Sequence, residues 1–311
     1  MNRILVIRGG AIGDFILTLP AIRALREAYP SARLELIGYK HIAALAESDY
    51  ADAVRSIEYG ALSGFFAKNG ELDDELSEYF GSFDLILMYL FDPDQIFETN
   101  LCRAGAEQIL RGPAKIDDGL HATRRLAAPL SEFGITVSDF IPRLRVNPDS
   151  TEFAQQFLRG LDAPIIALHV GSGSPRKNWP LENWLELGNR VLEQPTAASL
   201  IVVTGEADQS ERERLQRQWQ NENVRFATNL PLPHLAAILA RCVFVGHDSG
   251  ISHLAAAVGA PCVLLFGPTD PAVWAPQGEN VQIIRADHGD LEKLSPEEIL
   301  QHLKLAISDK A

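Results

Sequence analysis

Three stretches of the sequence combine residue types that can bind a ligand or move a proton. Near the N-terminus an apolar segment runs into Gly9, Gly10 and Gly13, and Asp14 follows directly. Glycines let the backbone turn sharply and let another molecule approach it closely. Asp14 is therefore either a helix N-cap that complements the helix dipole or a general base at a glycine-lined cleft. The glycines favour the base without settling the choice.

The second stretch follows a predicted strand and is rich in glycine and serine. It contains Gly171 and Ser172, and Arg176 and Lys177 precede a predicted helix. Backbone amides, hydroxyls and a lysine ahead of a helix N-terminus are the components of a phosphate site. The alternative is a surface loop whose cations are only solvated. Glu206, after another strand, is either an acceptor for ribose or base hydrogen bonds or a first-turn helix acid.

The third stretch is the strongest of the three. A strand ends in Asp248, Ser249 and Gly250, and a helix of small residues begins at once. Such a turn directs an acid, a hydroxyl and the first helical amides toward one point, and a diphosphate fits it. His253 falls on the first helical turn, which favours a ligand contact over a structural role. A Ser-His-Asp hydrolase is disfavoured because Ser249 lacks the glycine pattern of a nucleophile elbow.

Other motifs exclude whole classes of site. The N-terminal turn has neither the Gly-Lys-Ser/Thr of a Walker loop nor the spacing of the dinucleotide fingerprint, so a nicotinamide dehydrogenase is disfavoured. Asp92 and Asp94 look like an acid-x-acid metal pair, but we expect them to end a strand and cap the next helix. We expect Trp179 and Trp184 to pack inside a domain. No other cluster has metal-ligand spacing, so no metal site is predicted.

Composition narrows the remaining partners. The chain has 311 residues, 46% of them hydrophobic, and a net charge of −13. That charge argues against a nucleic-acid partner and against tight adsorption on an anionic membrane. No apolar run approaches the ~20 residues that span a bilayer, and Arg8 and Asp14 interrupt any secretory signal. We expect Cys102, Cys242 and Cys262 to be buried reduced thiols and the compartment to be the cytoplasm.

The elements that must position these residues form two strand–helix series. The first runs from the strand at 4–7 to a helix at 123–133, with a kink or restart expected at Pro20. A polar stretch at 134–150 is the predicted crossover. The second series begins with a strand at 165–169. The sequence therefore predicts an α/β fold of two doubly wound Rossmann-like domains facing a central cleft, with residues 1–150 in one and 151–311 in the other.

At this point a family resemblance is evident. Residues 8–14 together with Leu19-Pro20 resemble the N-terminal signature of glycosyltransferase family 9, the ADP-heptose:lipopolysaccharide heptosyltransferases and their relatives. The second half is similar as well, at 177–180, 205–206, 248–257 and 266–271. The resemblance implies a GT-B fold, metal-independent transfer with inversion, and no cofactor beyond a nucleotide-sugar donor, expected to be ADP-linked. It also implies an N-terminal acceptor-side domain and a C-terminal donor domain.

Carried over by position, the resemblance assigns roles to individual residues. Asp14 would deprotonate the acceptor hydroxyl, and Lys177 would steady the phosphates of the leaving nucleotide. Glu206 would meet the ribose or adenosine side of the donor. The donor-binding residues that the resemblance implies are Gly171, Ser172, Lys177, Glu206, Asp248, Ser249, Gly250 and His253.

The acceptor side departs from the family pattern. Residues 88–94 read Met-Tyr-Leu-Phe-Asp-Pro-Asp where relatives usually carry an Asp-Leu stretch, and the chain is acidic overall. Both features weaken the case for a phosphorylated lipopolysaccharide core as the acceptor and leave the donor sugar open. The resemblance still implies transfer of a sugar, expected to be a heptose, to a hydroxyl of a saccharide or glycolipid, as in lipopolysaccharide core or related glycan assembly. We expect a monomer in the cytoplasm with at most peripheral contact with the membrane. Two alternatives stay open: a nucleotide-sugar epimerase or hydrolase, and a non-catalytic nucleotide-sugar binding protein.

Overall fold

The chain forms two compact units, Met1–Pro142 and Arg143–Ala311. The structure is a computed structural model, and it describes residues 1–47, 49–116, 119–194 and 198–308. The division between the units lies inside the segment 134–150. Each unit is built on one parallel sheet, so the predicted α/β class with two parallel-sheet domains is confirmed.

The helices and strands alternate along most of both units. Unit 1 contains β1 (Arg3–Arg8), α1 (Ile12–Ala28), β2 (Arg33–Gly38), α2 (Lys40–Ala43), β3 (Ala53–Ser56), α3 (Asp74–Gly81), β4 (Leu85–Tyr89), α4 (Ile96–Arg103), β5 (Ile109–Arg111) and α5 (Ala122–Ala127). Unit 2 contains α6 (Pro148–Phe157), β6 (Ile165–His169), α7 (Leu181–Leu192), β7 (Ser199–Thr204), α8 (Gln209–Gln218), β8 (Val224–Thr228), α9 (Leu232–Leu239), β9 (Val243–His247), α10 (Gly250–Ala257), β10 (Cys262–Phe266), α11 (Pro271–Trp274), β11 (Val281–Arg285) and α12 (Pro296–Ser308).

Both sheets have the strand order of a doubly wound fold. In unit 1 the order is β3-β2-β1-β4-β5, and in unit 2 it is β11-β10-β9-β6-β7-β8. The central strands β1 and β6 are almost wholly buried apolar runs, as expected for parallel strands covered on both faces. Ligands of such sheets bind at the carboxyl ends of the strands, beside the point where the order reverses. In unit 1 that point is the end of β1, and in unit 2 it is the end of β6.

Several local expectations are wrong. The helix does not restart at Pro20: α1 is one helix through this proline, with buried residues on both sides of it. Cys102 is exposed, although Cys242 and Cys262 are buried as expected. The segment read as an extended crossover already contains the start of α6, because a proline is tolerated in the first turn and the Asn147 side chain accepts a hydrogen bond from the Ser150 N–H.

Other expectations are confirmed by direct contacts. The carboxylate of Asp92 accepts hydrogen bonds from the Ile96 N–H at 2.8 Å and the Glu98 N–H at 3.0 Å, so it caps α4. Trp179 and Trp184 are buried and meet edge to face, with ring centroids 5.1 Å apart. These residues therefore serve the packing of their own unit.

In the described ranges, no helix is long and apolar enough to cross a membrane.

Candidate functional site

The turn between β1 and α1 fixes the position of Asp14. Gly10 has a φ of +97°, a conformation that favours glycine, and a Cβ there would lie 2.9 Å from Asp14 Oδ2. The N-cap of α1 is Ala11, so Asp14 is the third helical residue and not the N-cap. Its Oδ2 accepts a hydrogen bond from the Ala11 N–H at 3.1 Å. One oxygen of Asp14 is thus anchored to the backbone that precedes the helix.

Arg8 is a buried cation that contacts Asp14. It is only 6% exposed, and it donates hydrogen bonds to the backbone carbonyls of Tyr89 and Asp14, each at 3.3 Å. Its Nη2 lies 3.6 Å from Asp14 Oδ1. Burial lowers the pKa of Arg8, and the charge of Asp14 opposes that effect. Sequence reasoning assigned Arg8 no role, although a cation ending an apolar strand is a recognisable signal.

Asp14 lines a cavity of about 410 Å³ within unit 1. The Asp14 side chain is 39% exposed, so it is accessible to a ligand while its position is fixed. Gly9 and Gly10 belong to the wall, whereas Gly13 is not part of it. The other lining residues are Arg8, Tyr39, Ile57, Glu58, Phe66, Tyr89, Leu90, Phe91 and Ala114.

In unit 2, a close ion pair joins two of the predicted stretches. Lys177 Nζ lies 2.6 Å from Asp248 Oδ2. Lys177 belongs to a short 3₁₀ helix at 175–177 after β6, and Asp248 directly follows β9. Because β6 and β9 are neighbours in the sheet, their carboxyl ends bring the two stretches together. The Asp248 side chain is 9% exposed and the Lys177 side chain 29%, so the cation is the more accessible partner.

Ser249 begins the helix that follows this pair. It is the N-cap of α10, and its Oγ accepts a hydrogen bond from the Ser252 N–H at 3.3 Å. The same Oγ lies 3.3 Å from His169 Nδ1 at the end of β6. Gly250 is the first residue of α10, and His253, buried at 4% exposure, is the fourth. The N-terminal end of α10 and the ion pair therefore adjoin the same sheet edge.

The loop at 171–174 is held by close packing and by its own hydrogen bonds. A Cβ at Gly171 would lie only 2.0 Å from Asp208 Oδ1, so a larger residue there would have to displace the Asp208 side chain. Ser172 Oγ contacts Asn178 Oδ1 at 2.5 Å and the Ser174 carbonyl at 2.9 Å. Ser172 thus braces its own loop.

Glu206 lies on the same side of the sheet, after β7. It is exposed and starts a short 3₁₀ helix at 206–208, so both sequence interpretations of it stand. Asp208, which sequence reasoning did not assign, is buried and accepts a hydrogen bond from the Gly205 N–H at 2.8 Å. This hydrogen bond stabilises the backbone turn at 205–208, which contains Glu206.

Two buried histidines lie beneath the ion pair, and sequence reasoning missed their role. The Trp179 N–H donates to His247 Nε2 at 2.7 Å, which leaves the proton of a neutral ring on Nδ1, 3.5 Å from the Gly171 carbonyl. Burial, together with the neighbouring His169, lowers the pKa of His247 to about 3. Burial also lowers the pKa of His169 to about 4, against the opposing charge of Asp208. Both rings are neutral supports at pH 7.

The sequence model of glycosyltransferase family 9 (heptosyltransferase) matches residues 113–304, which is more than half of the chain. The chain belongs to this family. The matched segment contains the Lys177–Asp248 pair and α10.

Two curated relatives agree with the family. Lipooligosaccharide heptosyltransferase 2 of Haemophilus influenzae is 32% identical over 140 residues, which cover 43% of this chain and 40% of that protein. Lipopolysaccharide heptosyltransferase 1 of Escherichia coli is 30% identical over 156 residues, or 48% of this chain and 47% of that protein. This chain thus spans less than half the length of these family 9 relatives.

The structure of E. coli ADP-heptose lps heptosyltransferase II has the same fold. It superposes with a TM-score of 0.81 over 100% of this chain and 99% of that one, at 19% identity. The GT-B expectation is thereby confirmed for the fold of this family 9 chain.

The chemistry available to this family 9 member differs between the two units. Unit 1 offers an accessible, anchored carboxylate in a cavity, which can accept a proton. Unit 2 offers a lysine and the N–H groups that begin α10, which can stabilise an anion. Within the described part of the chain, no group of three or more histidine, cysteine or acidic side chains is arranged to hold a metal ion.

Proposed function

We propose that this protein is an inverting glycosyltransferase that moves heptose from ADP-heptose to a saccharide hydroxyl. In this proposal unit 2 binds the donor and unit 1 binds the acceptor. The observation that carries it is the Lys177–Asp248 pair at the N-terminal end of α10, inside the segment that matches family 9. The printed names of the relatives, which are lipopolysaccharide and lipooligosaccharide heptosyltransferases, support heptose as the sugar.

The proposed reaction is a single displacement. The acceptor O–H loses its proton to the Asp14 carboxylate as the oxygen attacks the anomeric carbon of the donor. The bond between that carbon and the diphosphate oxygen breaks on the opposite face, and ADP leaves with the electron pair. Attack from the opposite face inverts the configuration, and no covalent enzyme intermediate forms.

Asp14 suits the role of base because its two oxygens have different surroundings. Oδ2 is fixed by the Ala11 N–H at 3.1 Å, and Oδ1 lies 3.6 Å from Arg8. The exposed carboxylate can therefore receive a proton without losing its position. A positioned general base contributes about 10²- to 10⁴-fold to such a rate.

On the donor side, Lys177 and the first N–H groups of α10 would neutralise the departing diphosphate. This is the task that a divalent metal performs in other transferases, so we propose transfer without a metal. Glu206 would accept hydrogen bonds from the ribose, and the turn at 248–253, in which His253 is buried, would close around the diphosphate and sugar. We also propose a cytoplasmic monomer with at most peripheral membrane contact; the net charge of −13 argues against tight adsorption on an anionic membrane.

Calorimetry with ADP-heptose, GDP-mannose and UDP-glucose in the presence of EDTA tests the donor. The proposal expects ADP-heptose to bind at least tenfold more tightly than the other two. With a dephosphorylated core oligosaccharide as acceptor, the protein should release ADP from ADP-heptose, and proton NMR should show the product with the anomeric configuration opposite to the donor. Rapid breakdown of ADP-heptose without an acceptor would instead indicate a hydrolase or epimerase.

A further inference from the structure

The cavity around Asp14 combines aromatic side chains with an excess of negative charge. Seven large hydrophobic side chains are prominently exposed in the described ranges, and three of them line this one cavity: Tyr39, Phe66 and Phe91. Phe91 is 66% exposed. Exposed apolar side chains gathered at one concave site mark a ligand surface.

The charged groups of the lining argue against an anionic ligand. Among the described lining residues the carboxylates are Asp14 and Glu58, and the cation is Arg8. Arg8 is buried and its guanidinium is already bonded to two backbone carbonyls, so it has little surface to offer a ligand. At the rim, Lys115 Nζ lies 4.6 Å from the centre of the Phe91 ring. Among the charged side chains that a phosphate could reach, the two lining carboxylates therefore outnumber the one accessible cation, Lys115, because Arg8 is buried.

From these observations we infer that the cavity selects a saccharide acceptor without phosphate groups. The sugar places its apolar C–H face against Tyr39, Phe66 and Phe91, and its hydroxyls donate hydrogen bonds to Asp14 and Glu58. Selection against phosphate comes from Glu58, which is exposed and lines the same cavity as Asp14. This inference rests on the proposed function, because it names the substrate class of the site that contains Asp14.

A matched pair of acceptors separates charge from sugar identity. The probes are a core oligosaccharide released from lipopolysaccharide and the same material after chemical removal of its phosphates. ADP release from ADP-heptose is measured with each, and ADP-heptose binding is measured in the same protein samples. The expected result is a kcat/KM at least tenfold higher with the dephosphorylated oligosaccharide.

A second experiment reverses the charge at residue 58. Glu58→Lys should reduce the preference for the dephosphorylated acceptor to less than threefold. The control Glu107→Lys makes the same charge change at an exposed position of unit 1 that does not line the cavity, and it should keep the preference. Binding of ADP-heptose should be the same in all three proteins.

The outcomes distinguish this inference from the proposed function. Equal or better use of the phosphorylated oligosaccharide by the unaltered protein overturns the inference, and so does an unchanged preference in Glu58→Lys. The inference is also overturned if ADP-heptose binds but neither oligosaccharide is used. Failure of ADP-heptose to bind would overturn the proposed function itself.

Discussion

Lys177 Nζ lies 2.6 Å from Asp248 Oδ2, and the two residues are 71 positions apart in the sequence. The pair exists because β6 and β9 are parallel neighbours that end at the same edge of the sheet. Asp248 holds the cation beside the first turn of α10, with the lysine more exposed than the aspartate. A diphosphate that reaches this edge meets a lysine already in place, so less side-chain entropy is lost on binding.

Removal of this lysine should weaken nucleotide binding. We predict that Lys177→Ala lowers the affinity for ADP by about 10- to 100-fold, because a hydrogen bond to a charged group contributes about 1.5–3 kcal/mol. The control is Arg176→Ala, which removes the neighbouring exposed cation and should change the affinity by less than threefold. Isothermal titration calorimetry measures both. Equal losses in the two variants would assign the effect to general charge.

A side chain at Gly171 should lower the stability of the protein. A Cβ at this position would lie 2.0 Å from Asp208 Oδ1, whereas one at Gly205 would lie 3.6 Å from Asp208 Oδ2. Gly171→Ala should therefore destabilise the protein by about 1–3 kcal/mol, the range found for overpacked sites. Gly205→Ala adds the same methyl group against the same residue and should be nearly neutral. Urea unfolding compares the two, and an unperturbed Gly171→Ala would contradict the packing described here.

The buried residues His169 and His247 should make the protein lose stability in mild acid. The pKa of His247 is lowered to about 3 and that of His169 to about 4, below the value of about 6.5 of an unfolded histidine. The unfolded chain therefore binds more protons between pH 6.5 and pH 4. The contribution of the neutral histidines to the free energy of unfolding is fully present above pH 6.5. It decreases as the pH falls, by about 2 kcal/mol per histidine at pH 5.

His247→Gln tests this pH dependence directly. Glutamine does not titrate, so the variant should be less stable at pH 7.5 but lose less additional stability between pH 7.5 and pH 5. His288→Gln is the control, since that histidine is outside the buried pair. Unfolding free energies at both pH values provide the comparison. A variant with the same pH slope as the unaltered protein would contradict the assignment.

The sequence predicted the alternating elements well where strands were short apolar runs between turn residues. The strand predicted at 165–169 is β6, with the same bounds in the structure. The segment predicted as the crossover, 134–150, contains the start of α6, because a proline in a polar segment fits the first turn of a helix as well as a break. Local sequence patterns do not distinguish a break from a helix start at Pro148.

The site was predictable in its charged residues and not in its buried supports. Lys177 and Asp248 belong to loops whose composition already indicates phosphate binding. By contrast, His247 acquires its role from the Trp179 N–H, 68 positions away, and Arg8 from a carbonyl at Tyr89. Such contacts depend on strand order, which local sequence patterns do not specify.

The measurement that tests the account most directly is the transfer rate of Asp14→Asn. Asparagine keeps an oxygen for the Ala11 N–H but is a far weaker base, so kcat should fall by about 10²- to 10⁴-fold with the affinity for ADP-heptose unchanged. Glu298→Gln is the control, because Glu298 is an exposed acid at the third position of α12 and its loss removes only a helix-dipole interaction. A kcat of Asp14→Asn within threefold of the unaltered enzyme, measured as ADP release with a saturating saccharide acceptor, would contradict the assignment of Asp14 as the base.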